Sequence, residues 1–208
     1  MKDLFDLARH SLAGLRMLLL LTVVLGLAYP LAITGVAQVA FPWQADGSLV
    51  TATGAHTQRA RDAAGSALLG QLADGARSDA LFHPRPSAAG DGYDPLASAG
   101  SNLGPRNPVL VRTIGERRAA VARREGVPPG QVPPDAVTAS ASGLDPDISP
   151  AYAAIQVPRV AKANGLSKEA VRRLVSQNTS SRTLGVLGEP HVNVLELNID
   201  LLAAAARA

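Results

Sequence analysis

Residues Met17–Ala40 read MLLLLTVVLGLAYPLAITGVAQVA, a run without a single Asp, Glu, Lys or Arg. At about 1.5 Å rise per residue a helix of this length reaches roughly 36 Å, against a hydrocarbon core of about 30 Å. Its twelve Leu, Ile and Val residues, at about −0.3 to −0.6 kcal/mol each, supply roughly −4 to −7 kcal/mol of insertion free energy. That outweighs Thr22, Thr34 and Gln38, so the stretch predicts one transmembrane helix. Phe41 and Trp43 stand where an interfacial aromatic belt would begin. Pro30 predicts a bend, and Gly26, Thr34, Gly35 and Gln38 form a small or polar face suited to another transmembrane helix. The plain alternative is that these four residues face lipid.

Orientation follows from the flanks. Lys2, Arg9 and Arg16 precede the span, whereas Phe41 to Gln58 contains no Lys or Arg. The positive-inside rule therefore keeps the N-terminus in the cytoplasm. A cleaved signal peptide would have an apolar region of about 7 to 15 residues, and this one continues past Ala28 and Pro30. The expected organisation is a cytoplasmic segment 1–16, a transmembrane helix 17–40 and an extracytoplasmic domain 41–208.

The chain of 208 residues has room for one domain and an appendage. Hydrophobic residues make up 47% of it but aromatic residues only 3%, so the core must be built from Ala, Leu and Val. Absence of cysteine removes disulfides, thiolate metal sites and thiol nucleophiles together. The formal charge of +3 is spread among acidic residues without a basic patch interleaved with aromatics, so no nucleic-acid partner is expected.

Beyond the anchor, Ser48 to Thr53 reads as a short β-rich segment, Ala55 to Ala64 as a weak helix or surface insertion, and Gly65 to Gln71 as a strand or helix start. His83 to Arg106 is rich in Pro, Gly, Ser and Asn and predicts an irregular loop, anchored by Tyr93 and Leu96. A helix follows, with Asn107 as N-cap, Pro108 at its first position, Leu110, Val111, Ile114 and Val121 on one side, and Gly126 at its end. A strand is expected around Ala136 to Ala139. A helix starts at Ser149-Pro150, is kinked or restarted by Pro158, and closes at Asn164-Gly165. Ser167 caps another through Gln177, burying Val171, Leu174 and Val175. His191 to Leu197 reads as a strand and Ile199 onward as an Ala-rich helix. The fold class is α+β: one N-terminal transmembrane helix and a single mixed domain with a small sheet.

Catalytic patterns are missing. The histidines lack metal-ligand spacing, no Gly-x-Ser-x-Gly elbow presents a nucleophile, and no Walker loop is present. Asp145 and Asp147 form an i, i+2 pair in a Leu-Asp-Pro-Asp turn, where carboxylates bond to backbone. No metal ligands are assigned. A membrane-anchored hydrolase using Ser101 or Asp145 is the alternative reading.

Seven strings in order resemble the C subunit of the Kdp potassium-transporting P-type ATPase. They are 41–49 (Phe41-Pro42-Trp43 onward), 65–71, 81–88 (Leu81-Phe82-His83-Pro84 onward), Ser101-Asn102-Leu103-Gly104 with Asn107-Pro108, 137–145, 156–163 (Gln156-Val157-Pro158-Arg159 onward), and 188–198. Local departures are a longer 55–64 stretch, Leu81-Phe82 where an aromatic pair is usual, and the Ala-rich tail. The resemblance implies a non-catalytic accessory subunit of a high-affinity, ATP-driven K⁺ uptake complex in the cell inner membrane. Its implied partners are a channel-like K⁺-translocating subunit and a P-type ATP-hydrolysing subunit. ATP and K⁺ are handled by those partners, with no cofactor bound independently here. The family's role is that of a catalytic chaperone raising the partner's ATP affinity, and its nucleotide-linked glutamine corresponds to Gln156. Read by itself, Gln156 is a cap or packing contact. Gly26, Thr34, Gly35, Gln38, Ser101, Asn102, Asn107 and Asp145 are the candidate partner-contact residues. An outward-facing domain would cap the outer pore entrance and act on nucleotide affinity only by allosteric coupling.

Overall fold

A proline within an apolar helix removes one backbone donor, and its ring crowds the carbonyl four residues back. In the computed structural model, which describes residues 2–207, the ladder adjusts just before Pro30. Helix α1 (Lys2–Val23) passes into a π turn (Val24–Ala28) and then into α2 (Tyr29–Ala40). The Thr34 hydroxyl donates to the Pro30 carbonyl at 2.8 Å. Asp3–Ala40 forms 38 residues of helix long and apolar enough to cross a membrane. A short helix, α3 (Pro42–Ala45), follows. Of the expected segments, the terminal residues Met1 and Ala208 lie outside the described residues.

The chain divides into two compact units, Met1–Ser48 and Leu49–Ala208. The second contains two three-stranded antiparallel sheets. One has the order β2-β1-β3, from β1 (Leu49–Thr51), β2 (His56–Thr57) and β3 (Ala63–Ser66). Ala55 to Ala64 is therefore not an α-helix: it carries β2 and the start of β3, which pair on either side of the central Leu49–Thr51, with one 3-10 turn (Ala60–Asp62) between them. The other sheet has the order β4-β6-β5, from β4 (Asp147–Ile148), β5 (Thr179–Ser180) and β6 (His191–Asn193).

Among the described residues four α-helices complete the domain: α4 (Pro108–Glu125), α5 (Pro150–Ala163), α6 (Lys168–Gln177) and α7 (Val194–Ala205). The predicted caps are in place. Asn107, Ser149 and Ser167 each accept from a backbone N–H in the first turn, satisfying a donor that the helix start leaves over. Helix α5 runs unbroken through Pro158. Its inward residues Tyr152, Val157 and Val160 pack with Phe82, Val171, Val192, Leu197 and Leu201 in the core. Only two aromatic rings, Phe82 and Tyr152, are among the largest fully buried side chains, as the composition demands.

Three local expectations are corrected. Ala136 to Ala139 is not a strand: consecutive Pro133 and Pro134 cannot donate to a ladder, and their carbonyls instead accept from Ala136, Val137 and Thr138 in a tight turn. The strand at His191 ends at Asn193, whose side chain accepts from Glu196 N and so starts α7 at Val194 instead of Ile199. Leu96 is 96% exposed and anchors nothing. Tyr93 does help to tie down the long loop, its hydroxyl donating to the Arg85 carbonyl at 2.7 Å, together with the Ser87 and Ser98 hydroxyls, which donate to the Gly143 and Ser142 carbonyls. On α4, Val121 is buried while Val111 is exposed.

Candidate functional site

Residues Leu81 to Pro86 belong to no helix or strand, and Pro84 and Pro86 cannot donate to a neighbouring strand. The backbone of Phe82 and His83 is instead paired by two carboxamides. On one side, Asn198 of α7 accepts from Phe82 N at 2.8 Å and donates to Phe82 O at 3.0 Å. On the other, Gln156 of α5 accepts from His83 N at 2.7 Å and donates to His83 O at 3.1 Å. Each amide supplies one acceptor and one donor, the pair a strand partner would supply. Gln156 is fully buried, and its Oε1 also accepts from Arg159 Nη2 at 2.9 Å. Both lone pairs of that oxygen are thus used.

Charge is arranged around this bracket. The side chain of Glu125 is fully enclosed and lies between Arg124 Nε at 2.6 Å and Arg159 Nε at 2.8 Å. Arg159 Nη1 donates to the carbonyls of Asp79 and Leu81, and Arg124 Nη2 donates to the Tyr152 hydroxyl at 2.9 Å. One buried carboxylate so fastens α4 to α5 and, through Arg159, to the 78–83 segment. Burial, with the Arg124 and Arg159 guanidiniums nearby, lowers the His83 pKa from 6.5 to about 4 and keeps its imidazole neutral. Its Nε2 lies 3.1 Å from the Ser78 carbonyl, which assigns the proton to that nitrogen.

Beside His83 opens a cleft of about 270 Å³, walled in part by Arg85, Arg117, Arg124 and Tyr152. Arg85 is paired with Asp145 at 2.9 Å and Arg124 with Glu125. Arg117 donates to the Val137 carbonyl.

Within the α+β domain, the side chain of Gln156 bonds to His83 and Arg159 and not to the other candidates. Asp145 accepts from Asp147 N as well as from Arg85, so it is both a turn residue and an ion-pair partner. Asn107 is a helix cap, and Ser101 and Asn102 are exposed on the long loop, Asn102 with φ of +50°. In the apolar helix Gly26 falls in the π turn, Thr34 bonds to Pro30, and Gln38 donates to Asp46 at 3.1 Å. A Cβ built on Gly35 would meet nothing within 4 Å, leaving that surface open. The role of Asn198 went unread in the sequence. Its signal was present: Val194, Leu195, Asn198 and Leu201 share one helix face, and a lone amide on an apolar face needs a buried partner.

Fold and site together define a chain with one membrane-length helix and one α+β domain, braced internally by a buried amide and carboxylate network. The sequence pattern of the family described as KdpC, the K⁺-transporting ATPase c chain, matches residues 11–203. A "Potassium-transporting ATPase KdpC subunit" from Kineococcus radiotolerans is 51% identical over 202 residues, covering 97% of both chains. Proteins of the same description from Beijerinckia indica and Mycobacterium tuberculosis are each 48% identical. The first match covers 88% of both chains, the second 93% of this chain and 97% of the relative. The chain belongs to the KdpC family of K⁺-transporting ATPase subunits.

Proposed function

We propose that this chain is the non-catalytic accessory subunit of an ATP-driven K⁺ uptake complex. It docks through its apolar helix, with Gly26, Thr34, Gly35 and Gln38 as contact candidates. Its α+β domain lies outside the cytoplasm, over the outer pore entrance of a channel-like subunit, and Ser101, Asn102, Asn107 and Asp145 are candidate contacts there. It raises the ATP affinity of the hydrolysing subunit from a distance. Two states of the complex must then differ in both the docked domain and the nucleotide site, since coupling requires an element that both sites bias.

The observation that carries this reading is the state of Gln156. Its oxygen is saturated by His83 and Arg159 and its side chain is buried. A residue so engaged supports the shape of the domain, which is how a remote effect on nucleotide would be exerted. The charge flanks of the helix agree: Arg9 and Arg16 stand on one side and no Lys or Arg on the other as far as Gln58.

Protease added outside intact spheroplasts tests the placement, with digestion of the domain after Ser48 as the expected result. Protection would overturn it and restore direct contact with ATP. Deletion of the chain should impair assembly of the complex and raise the ATP concentration needed for half-maximal hydrolysis. Unchanged assembly and K⁺ uptake would refute the accessory role.

A further inference from the structure

The membrane-length helix is longer than a membrane needs. Asp3–Ala40 is 38 residues, about 57 Å at 1.5 Å per residue, and a tilt of up to about 40° cannot fit that within a core of about 30 Å. Residues 17–40 fill the core by themselves, so the first two-fifths of the helix lies outside it.

That overhang is two-faced. At about 100° per residue, Leu4, Phe5, Leu7, Ala8, Leu12 and Leu15 fall within one arc of about 160°, with Ser11 the only polar residue among them. Asp3, Asp6, Arg9, His10 and Arg16 occupy the opposite side. Among the described residues the apolar face has no covering partner: Leu4 is 73% exposed and Phe5 72%. Arg9 and Arg16, seven residues apart, lie along the edge next to Phe5 and Leu12, while Asp3 and Asp6 lie away from it. Gly14 interrupts the segment two residues before Arg16, and a Cβ there would meet nothing within 4 Å. No packing contact calls for glycine at that position. It places the weakest helix former but proline at the junction with the span.

We propose that residues 3–13 form an interfacial helix lying on the cytoplasmic membrane surface. The helix bends at Gly14, Leu4, Phe5, Leu7 and Leu12 enter the acyl boundary, and Arg9 and Arg16 reach lipid phosphates. The occupant of the apolar face is thus the bilayer that already holds the rest of the helix. An amphipathic segment tethered to a span meets that surface at once, and a basic edge favours anionic headgroups. The proposal rests on the spanning reading of residues 17–40.

The absence of cysteine makes single labels specific. Ala8→Cys, Leu12→Cys, Asp6→Cys, Ala13→Cys and Leu25→Cys are spin-labelled in the full-length chain. Each is placed in nanodiscs of phosphatidylglycerol with phosphatidylethanolamine, or of phosphatidylcholine alone. Relaxation by oxygen against a water-soluble nickel chelate reports depth. The expected result is oxygen-dominated relaxation at positions 8 and 12 and nickel-dominated relaxation at 6 and 13. The contrast should be larger in the anionic discs and reduced there by Arg9→Glu. Nickel-dominated relaxation at 6, 8, 12 and 13 alike, with 25 still in lipid, overturns this proposal alone. So does shelter of 8 and 12 that appears only when the other subunits of the complex are present, which assigns the face to a protein partner. Nickel-dominated relaxation at Leu25→Cys overturns the spanning reading itself.

Discussion

Gln156 and Asn198 hold the backbone of two consecutive residues, His83 and Phe82, and removing either amide leaves an N–H and a C=O without those partners. The Gln156→Leu and Asn198→Leu variants should each lose about 2 to 6 kcal/mol, since each strands two polar groups at about 1 to 3 kcal/mol apiece. Denaturant midpoints of the detergent-solubilised chain measure this, and a loss below about 1 kcal/mol would refute the bracket. His83 adds a pH signature. Folding lowers its pKa from 6.5 to about 4, so between these values the unfolded chain binds a proton that the folded one does not. Its contribution to stability is complete above pH 6.5, falls as pH drops toward 4, and is gone below that. The size is roughly 1 to 2 kcal/mol after allowance for solvent at the ring edge. Melting temperature against pH should show this slope in the native chain and a flatter one in His83→Gln.

Elements meet in this domain at points where there is room for backbone only. Gly70 donates to the Leu144 carbonyl at 2.9 Å, and a Cβ added there would strike the ring of Tyr93 and come within 2.8 Å of the Asp145 carbonyl. The long loop, the 65–71 turn and the 140–147 turn are therefore fitted together around one glycine. Gly70→Ala should destabilise the domain by about 1 to 3 kcal/mol through overpacking and increase protease cleavage within 85–106. Unchanged stability and cleavage would show that the loop is held elsewhere. The helix starts are more forgiving. Ser167→Ala removes one cap bond, so a loss of only about 1 kcal/mol is expected.

At the scale of the whole molecule, the proposed orientation rests on a charge difference across one helix. Replacing Arg9 and Arg16 with Gln while placing three Arg residues between Thr51 and Gln58 reverses the charge bias on which that proposal rests. The variant should insert in mixed or inverted orientation. Labelling of a single cysteine, introduced at exposed Ser101, by a membrane-impermeant maleimide would be lost in proportion. Full labelling from outside would mean that something other than flanking charge orients the chain. The same helix carries the amphipathic overhang, so charge at its N-terminal end would serve both topology and attachment to the surface.

The apolar helix, the α+β class, the helix caps at Asn107, Ser149 and Ser167, and the family are all legible along the chain. Each is a local property: hydropathy over a window, a capping side chain next to its own helix, or strings in order along the chain. Tertiary structure decided that Ala136 to Ala139 is a turn, that Leu96 is free while Tyr93 is fixed, and that α7 begins at Val194. It also decided that Gln156, Asn198, Glu125 and Arg159 form one network, for their partners lie far away in sequence, 116 residues in the case of Asn198 and Phe82. Periodicity shows which face of a helix turns inward. Whether an amide on that face finds an unpaired strand of backbone depends on where the fold brings a distant, proline-bounded segment.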